Sequence, residues 1–374
     1  MTPADARTIA HETFDEQVAL LRTLAQIPAP SGGEEQRVAF VASWLRAAGA
    51  TRVEVDAAKN VLCWVSETPD VGVEVFSAHT DVVFDDLAPL PLQEEGGRLY
   101  APGVGDDTAN LVNMMLVTRW LLAHPEVTTG RSILVVANSC EEGLGNLRGT
   151  RALYERYGTR IASHVVFDTT LGKIVNQAVG SVRWRVSVDG PGGHSFANFG
   201  RPNAIVALAR IVCELDALEL PTEATTTHNV GVIEGGTTVN SIAAHAEMLY
   251  DLRSISADCL QAMREKFERI VSAPQPEGIT VMAEVIGERP SGDAVGLVGQ
   301  DALVRRACAA YREAGRCADV YLAPSSTDAN IPLSRGIPAV CVGTVRGQGA
   351  HTRGEWIELG SLTGGLAVAL AMMS

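Results

Sequence analysis

The sequence predicts an α/β protein: a mostly parallel sheet with helices on both faces, carrying an inserted α+β domain of ferredoxin-like type. Short, continuous apolar runs of the buried-strand kind alternate with helical stretches in the first half of the chain and return near its end. Between Ser181 and Gly287 the rhythm changes to strands in which apolar and polar residues alternate. At 374 residues the chain also exceeds the usual size of one hydrophobic core.

An early helix is expected. Ser31-Gly-Gly-Glu34 has the spacing of a capping box, and Val38, Val41, Trp44 and Leu45 then share one face up to Gly49. Strands follow at Val73 to Ser77, Ile133 to Ala137, His164 to Phe167 and Ile337 to Val342, with a helix from Asn110 to Leu122 between the first two. The insertion opens on the strand RWRVSVDG and a helix from Pro202 to Leu215 that buries Ile205, Leu208, Ile211 and Val212. The strands THNVGVIEGG and AAHAEMLYDLR come next, turning near Gly235-Gly236. A second helix with Leu260, Met263, Phe267 and Ile270 on its stripe and a last strand, ITVMAEVIG, complete the order β-α-β-β-α-β. The expected domains are therefore residues 1–180 with 289–374, and residues 181–288.

A net charge of −14 repels phosphate backbones and anionic lipid, which argues against nucleic acid and membrane surfaces as partners. The start MTPADARTIAHETFDEQ has acids where a signal peptide needs a basic stretch, and no uncharged apolar run reaches membrane-spanning length. Seven cysteines without a CxxC pair fit buried, reduced thiols. The expectation is a soluble, cytoplasmic protein.

In an open α/β sheet, ligands bind beyond the carboxyl ends of the strands, and the metal-competent residues fall at those ends. VEVFSA delivers His79 and Asp81, SILVVANSC delivers Glu141 and Glu142, HVVF delivers Asp168, and IPAVCVGT leads through a glycine-rich loop to His351. APGVGDDTAN puts Asp106 and Asp107 in a glycine turn before a helix. Gathering two histidines and several carboxylates is costly unless a cation neutralises the acids, and zinc accepts such nitrogen and oxygen donors. Asp81 shares a strand face with His79, so it is placed to hold one imidazole nitrogen while the other binds metal. Asp107 reads as a helix-start acid, and Thr327 and Asp328 as the pocket floor. Cys140, at a strand tip, is the rival nucleophile.

The motifs SAHTD, PGVGDD, SCEEGLGNLRG, VVFD, GPGGHS, the GG...N stretch ending in Asn240, DLR ending in Arg253, STDAN and GAHTRGEW together resemble the M20 family of co-catalytic metallopeptidases across nearly the whole chain. The resemblance implies a zinc-peptidase-like catalytic domain with a lid and dimerisation domain inserted. It implies two zinc ions, or cobalt or manganese in their place, one held by His79, Asp106 and Asp168 and the other by Glu142 and His351 with Asp106 bridging. Glu141 becomes the general base, Asp81 orients His79, His194 stabilises the oxyanion, and Asn240 and Arg253 bind substrate. A homodimer through the insertion is the implied assembly. Where many members have Lys-Gly-Gly after the bridging Asp, this chain has Thr108-Ala109-Asn110. Asp168 stands where peptidase-like members tend to have Asp and deacylase-like members Glu, which leans toward a small peptide substrate. An N-acyl amino acid deacylase is the alternative, followed by a Cys140 thiol hydrolase and a non-catalytic peptide-binding protein.

Overall fold

The structure, a computed structural model, describes residues 2–292, 296–316 and 320–374. Its contacts divide the chain into two compact units, Met1–Ala178 with Ala294–Ser374, and Val179–Asp293.

The main sheet of the first unit has eight strands: β1 (Val53–Val55), β2 (Val61–Ser66), β3 (Val73–His79), β4 (Ser132–Asn138), β5 (Ile161–Leu171), β6 (Lys173–Ala178), β7 (Tyr321–Ser325) and β8 (Ala339–Gly343). Across the sheet they run β1-β2-β4-β3-β5-β8-β6-β7. The four strands read from apolar runs, β3, β4, β5 and β8, are its parallel centre. Sequence reading missed β1, β2, β6 and β7, of which β1 and β2 extend one edge antiparallel. The central strands are apolar throughout because both faces are covered. Phe76 and Ala78 of β3 enter one core with Val135, Ala137 and Phe167, while Val73 and Val75 enter another with Leu134, Val136 and Tyr154.

Helix α1 (Glu35–Ala47) starts at Glu34 without a side-chain cap, so the capping-box reading is corrected. Ser31 and Glu34 are spent on longer-range partners described below. Helix α2 (Ala109–Ala123) is apolar on nearly every side and accordingly buried along most of its length. Helix α3 (Arg148–Tyr157) places Leu153 and Tyr154 against the opposite face of the sheet.

In the second unit four antiparallel strands run in the spatial order Thr226–Gly235, His245–Ser254, Gly180–Asp189, Thr280–Arg289. Helices Ala204–Asp216 and Ala257–Val271 bury Leu208, Ile211, Met263 and Phe267 with Trp184 and Tyr250 of the sheet. Trp184 stacks on Phe267 with ring centroids 4.2 Å apart. Ile205, expected inside, is exposed: the buried stripe is Ala204, Ala207, Leu208, Ile211 and Leu215, and Ile205 lies about 100° away from its first member. A two-residue ribbon, Gly193–His194 paired with Ser241–Ile242, completes the unit.

The six described cysteines are free, and four are buried; Cys213 is exposed, against expectation, and Cys317 lies outside the described residues. Among the described residues no helix is long and apolar enough to cross a membrane.

A buried polar chain ties the sheet to α3. The Tyr154 hydroxyl lies 3.1 Å from His164 Nδ1, and His164 Nε2 lies 2.8 Å from Ser77 Oγ. Burial pushes the His164 pKa down to about 3 from 6.5. Below about pH 6.5 the unfolded chain therefore takes a proton that the folded chain refuses until about pH 3. This residue's contribution is full above that window and lost as pH falls through it, with a slope of up to about 1.4 kcal/mol per pH unit. Urea unfolding of wild type and His164→Asn between these limits should give a shallower acid loss in the variant; parallel curves would contradict the assignment.

Candidate active site

The topology brings the strand tips together. His79, the last residue of β3, pairs in register with Asn138, the last of β4. Beyond Asn138 the chain turns through Cys140 in the left-handed region (φ 57°) and presents Glu141 and Glu142. Asp168 lies near the end of β5, next to the Phe167–Val342 pairing with β8, and His351 follows β8 by a loop in which it too is left-handed (φ 65°). Asp106 sits in the turn that opens into α2.

Donor atoms of His79, Asp106 and Asp168 lie within 4.8 Å of one another, as do those of Asp106, Glu142 and His351, and those of His79, Glu141 and Glu142. Asp106 joins the first two sets with one oxygen for each. His79 Nε2 is 3.1 Å from Oδ1, and His351 Nε2 is 3.1 Å from Oδ2 and 3.2 Å from Glu142 Oε1.

The electrostatics are those of an anionic pocket. Burial pushes the Asp168 carboxyl up to about 7, with repulsion from Asp106 adding to it. The carboxylates of Asp106 and Glu142, close to its Nε2, favour the charged imidazole and push His351 up to about 10. Burial opposes charge on His79, but Asp107, Asp106 and Asp81 outweigh it and raise its pKa well above the usual range. Glu142 Oε1 is buried with no properly aligned hydrogen bond, although the His351 imidazole is 3.2 Å away. Two imidazoles and three carboxylates, with an orphaned carboxylate oxygen among them, fit divalent cations that accept nitrogen and oxygen.

A second layer holds these donors in place. The contact between His79 and Asp81 runs mainly through the main chain, with His79 Nδ1 3.0 Å from the Asp81 carbonyl oxygen and 3.5 Å from its carboxylate. The carboxylate instead accepts the Glu141 and Glu142 backbone N–H groups at 3.0 and 2.9 Å and the Ser31 hydroxyl at 2.6 Å. Asp107, in the first turn of the helical segment leading into α2, is buried and accepts the His79 backbone N–H at 2.9 Å. Glu34 accepts the N–H groups of Gly32 and Cys140 at 2.8 and 3.1 Å. Arg37, fully buried, donates to Thr80 O and Thr108 Oγ1, and burial lowers its pKa to about 10 against the opposing pull of Asp81 and Asp107. Asn110, in the stretch that departs from the family pattern, accepts from Thr344 and donates to the carbonyls of Gly105 and Thr169. The two oxygens of Asp328 accept from Asn138 and Thr150, and Thr327 closes a local turn with Ala329 and Asn330.

Sequence reasoning also passed over Glu355, whose carboxylate accepts the N–H groups of Gly103, Gly105 and Asp106. Burial, then Asp106, raises its pKa to about 7. The signal was its place in GAHTRGEW, four residues after His351.

The inserted unit carries the remaining residues. His194 is exposed and pairs with Ser241, which places Asn240 beside it: the Ser195 N–H donates to Asn240 O at 2.9 Å. The Phe196 and Ala197 N–H groups donate to His194 Nδ1 at 3.2 and 3.3 Å, so a neutral His194 carries its proton on Nε2. Arg253 stands on the strand His245–Ser254 with Nε 2.7 Å from Asp251 Oδ2.

The family model described as peptidase family M20/M25/M40 matches residues 75–374. A succinyl-diaminopimelate desuccinylase of Corynebacterium glutamicum is 24% identical over 372 residues, covering 97% of each chain. Among solved structures, a tripeptidase from Staphylococcus aureus superposes with a TM-score of 0.77 at 21% identity, covering 96% of this chain and 97% of the other. The Bacillus subtilis YXEP protein, described as a dinuclear metal-binding peptidase, superposes with a TM-score of 0.65 at 17% identity over 97% and 98% of the two chains.

Because a ligand of the folded state alone stabilises it, zinc at about 100 times its dissociation constant should add about 2.7 kcal/mol to dialysed protein. Thermal unfolding with and without zinc reads this as a rise in Tm. The rise should largely vanish in Asp106→Asn, and a wild-type Tm indifferent to zinc, cobalt and manganese would argue against a metal centre.

Proposed function

This chain belongs to peptidase family M20/M25/M40, and on that premise we propose that it hydrolyses an amide bond of a small peptide at a two-metal centre, with zinc as the ion and cobalt or manganese as substitutes. His79, Asp106 and Asp168 hold one ion, and Asp106, Glu142 and His351 hold the other. The observation that carries this reading is the Asp106 carboxylate, which offers Oδ1 to one imidazole and Oδ2 to the other at 3.1 Å each. When bound, the two ions supply Lewis-acid polarisation of the carbonyl and a lowered pKa for the attacking water.

Glu141 is the general base. It is buried beside His79 and Glu142, and its backbone is fixed by Asp81, so its side chain is held next to the donors without being needed by either ligand set. It takes the proton of the attacking water and passes it to the departing amine. His194 donates its Nε2–H to the oxygen that becomes negative in the tetrahedral state. Arg253, whose Nε is occupied by Asp251, offers its two Nη groups to a substrate carboxylate, and Asn240 adds a polar contact. The assembly proposed is a homodimer through the inserted unit.

The second reading is an N-acyl amino acid deacylase, favoured by the likeness to a desuccinylase over 97% of both chains. A thiol mechanism is disfavoured on physical grounds. Burial and Glu34 push the Cys140 thiol up to about 12, the reverse of what an activated nucleophile requires.

Glu141→Gln should lower kcat by about 10²–10⁴-fold while metal content stays at the wild-type value; an unchanged rate would remove Glu141 from the role of base. Cys140→Ala should keep its activity and its sensitivity to chelators. A panel of dipeptides, tripeptides and N-acyl amino acids, assayed with zinc-loaded enzyme, decides the substrate class: turnover of N-acyl amino acids alone would replace the peptidase reading by the deacylase one.

A further inference from the structure

We propose that Glu355 is a positioning residue for the metal pair: it fixes Asp106, on which both donor sets converge, by binding the backbone of the loop that carries it. The inference rests on the two-metal reading of Asp106. Glu355 is only 2% exposed, and it accepts the Gly103 N–H at 2.8 Å on Oε2 and the N–H groups of Gly105 and Asp106 at 2.7 and 2.8 Å on Oε1.

These bonds take up both oxygens, so Glu355 acts through the loop and not as a donor to an ion. It also joins two segments about 250 residues apart in the chain. Glu355 follows His351 by four residues, and its own carbonyl accepts the Ala101 N–H at 3.1 Å. One side chain therefore sets the spacing between the Asp106 turn and the segment that presents His351.

Gly105 of PGVGDD is explained by the same contact. A Cβ on Gly105 would come within 3.0 Å of Glu355 Oε1 and 3.2 Å of Ile357 Cγ2. Gly103 adopts φ 71°, and a Cβ there would lie 2.2 Å from Val82 Cγ1. The motif around Asp106 and the GEW motif are thus two halves of one device. A carboxylate that serves two ions at once tolerates little displacement, and loss of such outer support typically weakens metal binding by about 10–100-fold.

In Glu355→Gln the shape is kept, but one carboxylate oxygen becomes an NH₂ group facing backbone donors. Gly105→Ala disturbs the same contact from the other side. The test is titration of the metal-free full-length protein with cobalt(II), read by calorimetry and by the visible absorption of the bound ion, with circular dichroism confirming the fold. Wild type should take up two equivalents. Glu355→Gln should bind the second about 10–100-fold more weakly, with altered cobalt absorption. If Glu355→Gln does not fold, Gly105→Ala decides by the same comparison. Folded variants that bind both equivalents with wild-type affinity and spectrum overturn the role of Glu355 alone. Fewer than two equivalents in wild type overturns the two-metal reading, and this inference with it.

Discussion

Mutual repulsion among carboxylates buried at one end of a sheet is the constraint on which the rest of the site depends. The protein meets it by dividing the acids into two groups. Asp81, Asp107, Glu34 and Glu355 are each bound by backbone N–H groups, and these bonds fix the main chain of the neighbouring turns. Asp106 and Glu142 face imidazoles, and Asp168 completes the cluster. The first group is consumed by the fold, and the second is left for a cation. Arg37, buried beneath with its guanidinium on Thr80 and Thr108, adds a fixed positive charge on the protein side.

The fold makes this crowding achievable. Parallel strands deliver their last residues to one edge, so that His79, the Glu141-Glu142 pair and Asp168 converge although about 90 residues separate the first from the last. Left-handed backbone at Cys140 and His351 then swings the following or resident side chains off the strand direction. Cys140, adjacent to two acids, packs under them with its thiol against Glu34 and Arg148. Neither the thiol nor the carboxylates would suit the other's place.

Much of this was legible in the sequence. The four central strands were marked by apolar runs bounded by turns, and the donor residues by their positions at the ends of those runs. The supporting layer was not legible, because its partners are remote. Ser31 and Glu34 have the local spacing of a helix cap, yet they bond Asp81 and Cys140, about 50 and 106 residues away. Glu355 reads as part of a motif, but its three partners lie on a turn near residue 105. Asp107 carries the local signature of a helix start, while its actual partner is a strand end. Edge strands such as β1, three residues long, carry too short a pattern to be separated from loop.

The most direct test of the shared role of Asp106 is anomalous diffraction from crystals grown with zinc, recorded at the zinc edge. Two peaks roughly 3.5–4 Å apart are expected, with one oxygen of Asp106 directed at each, His79 and Asp168 beside the first, and Glu142 and His351 beside the second. A single peak, or a pair with Asp106 outside either coordination sphere, would contradict that role.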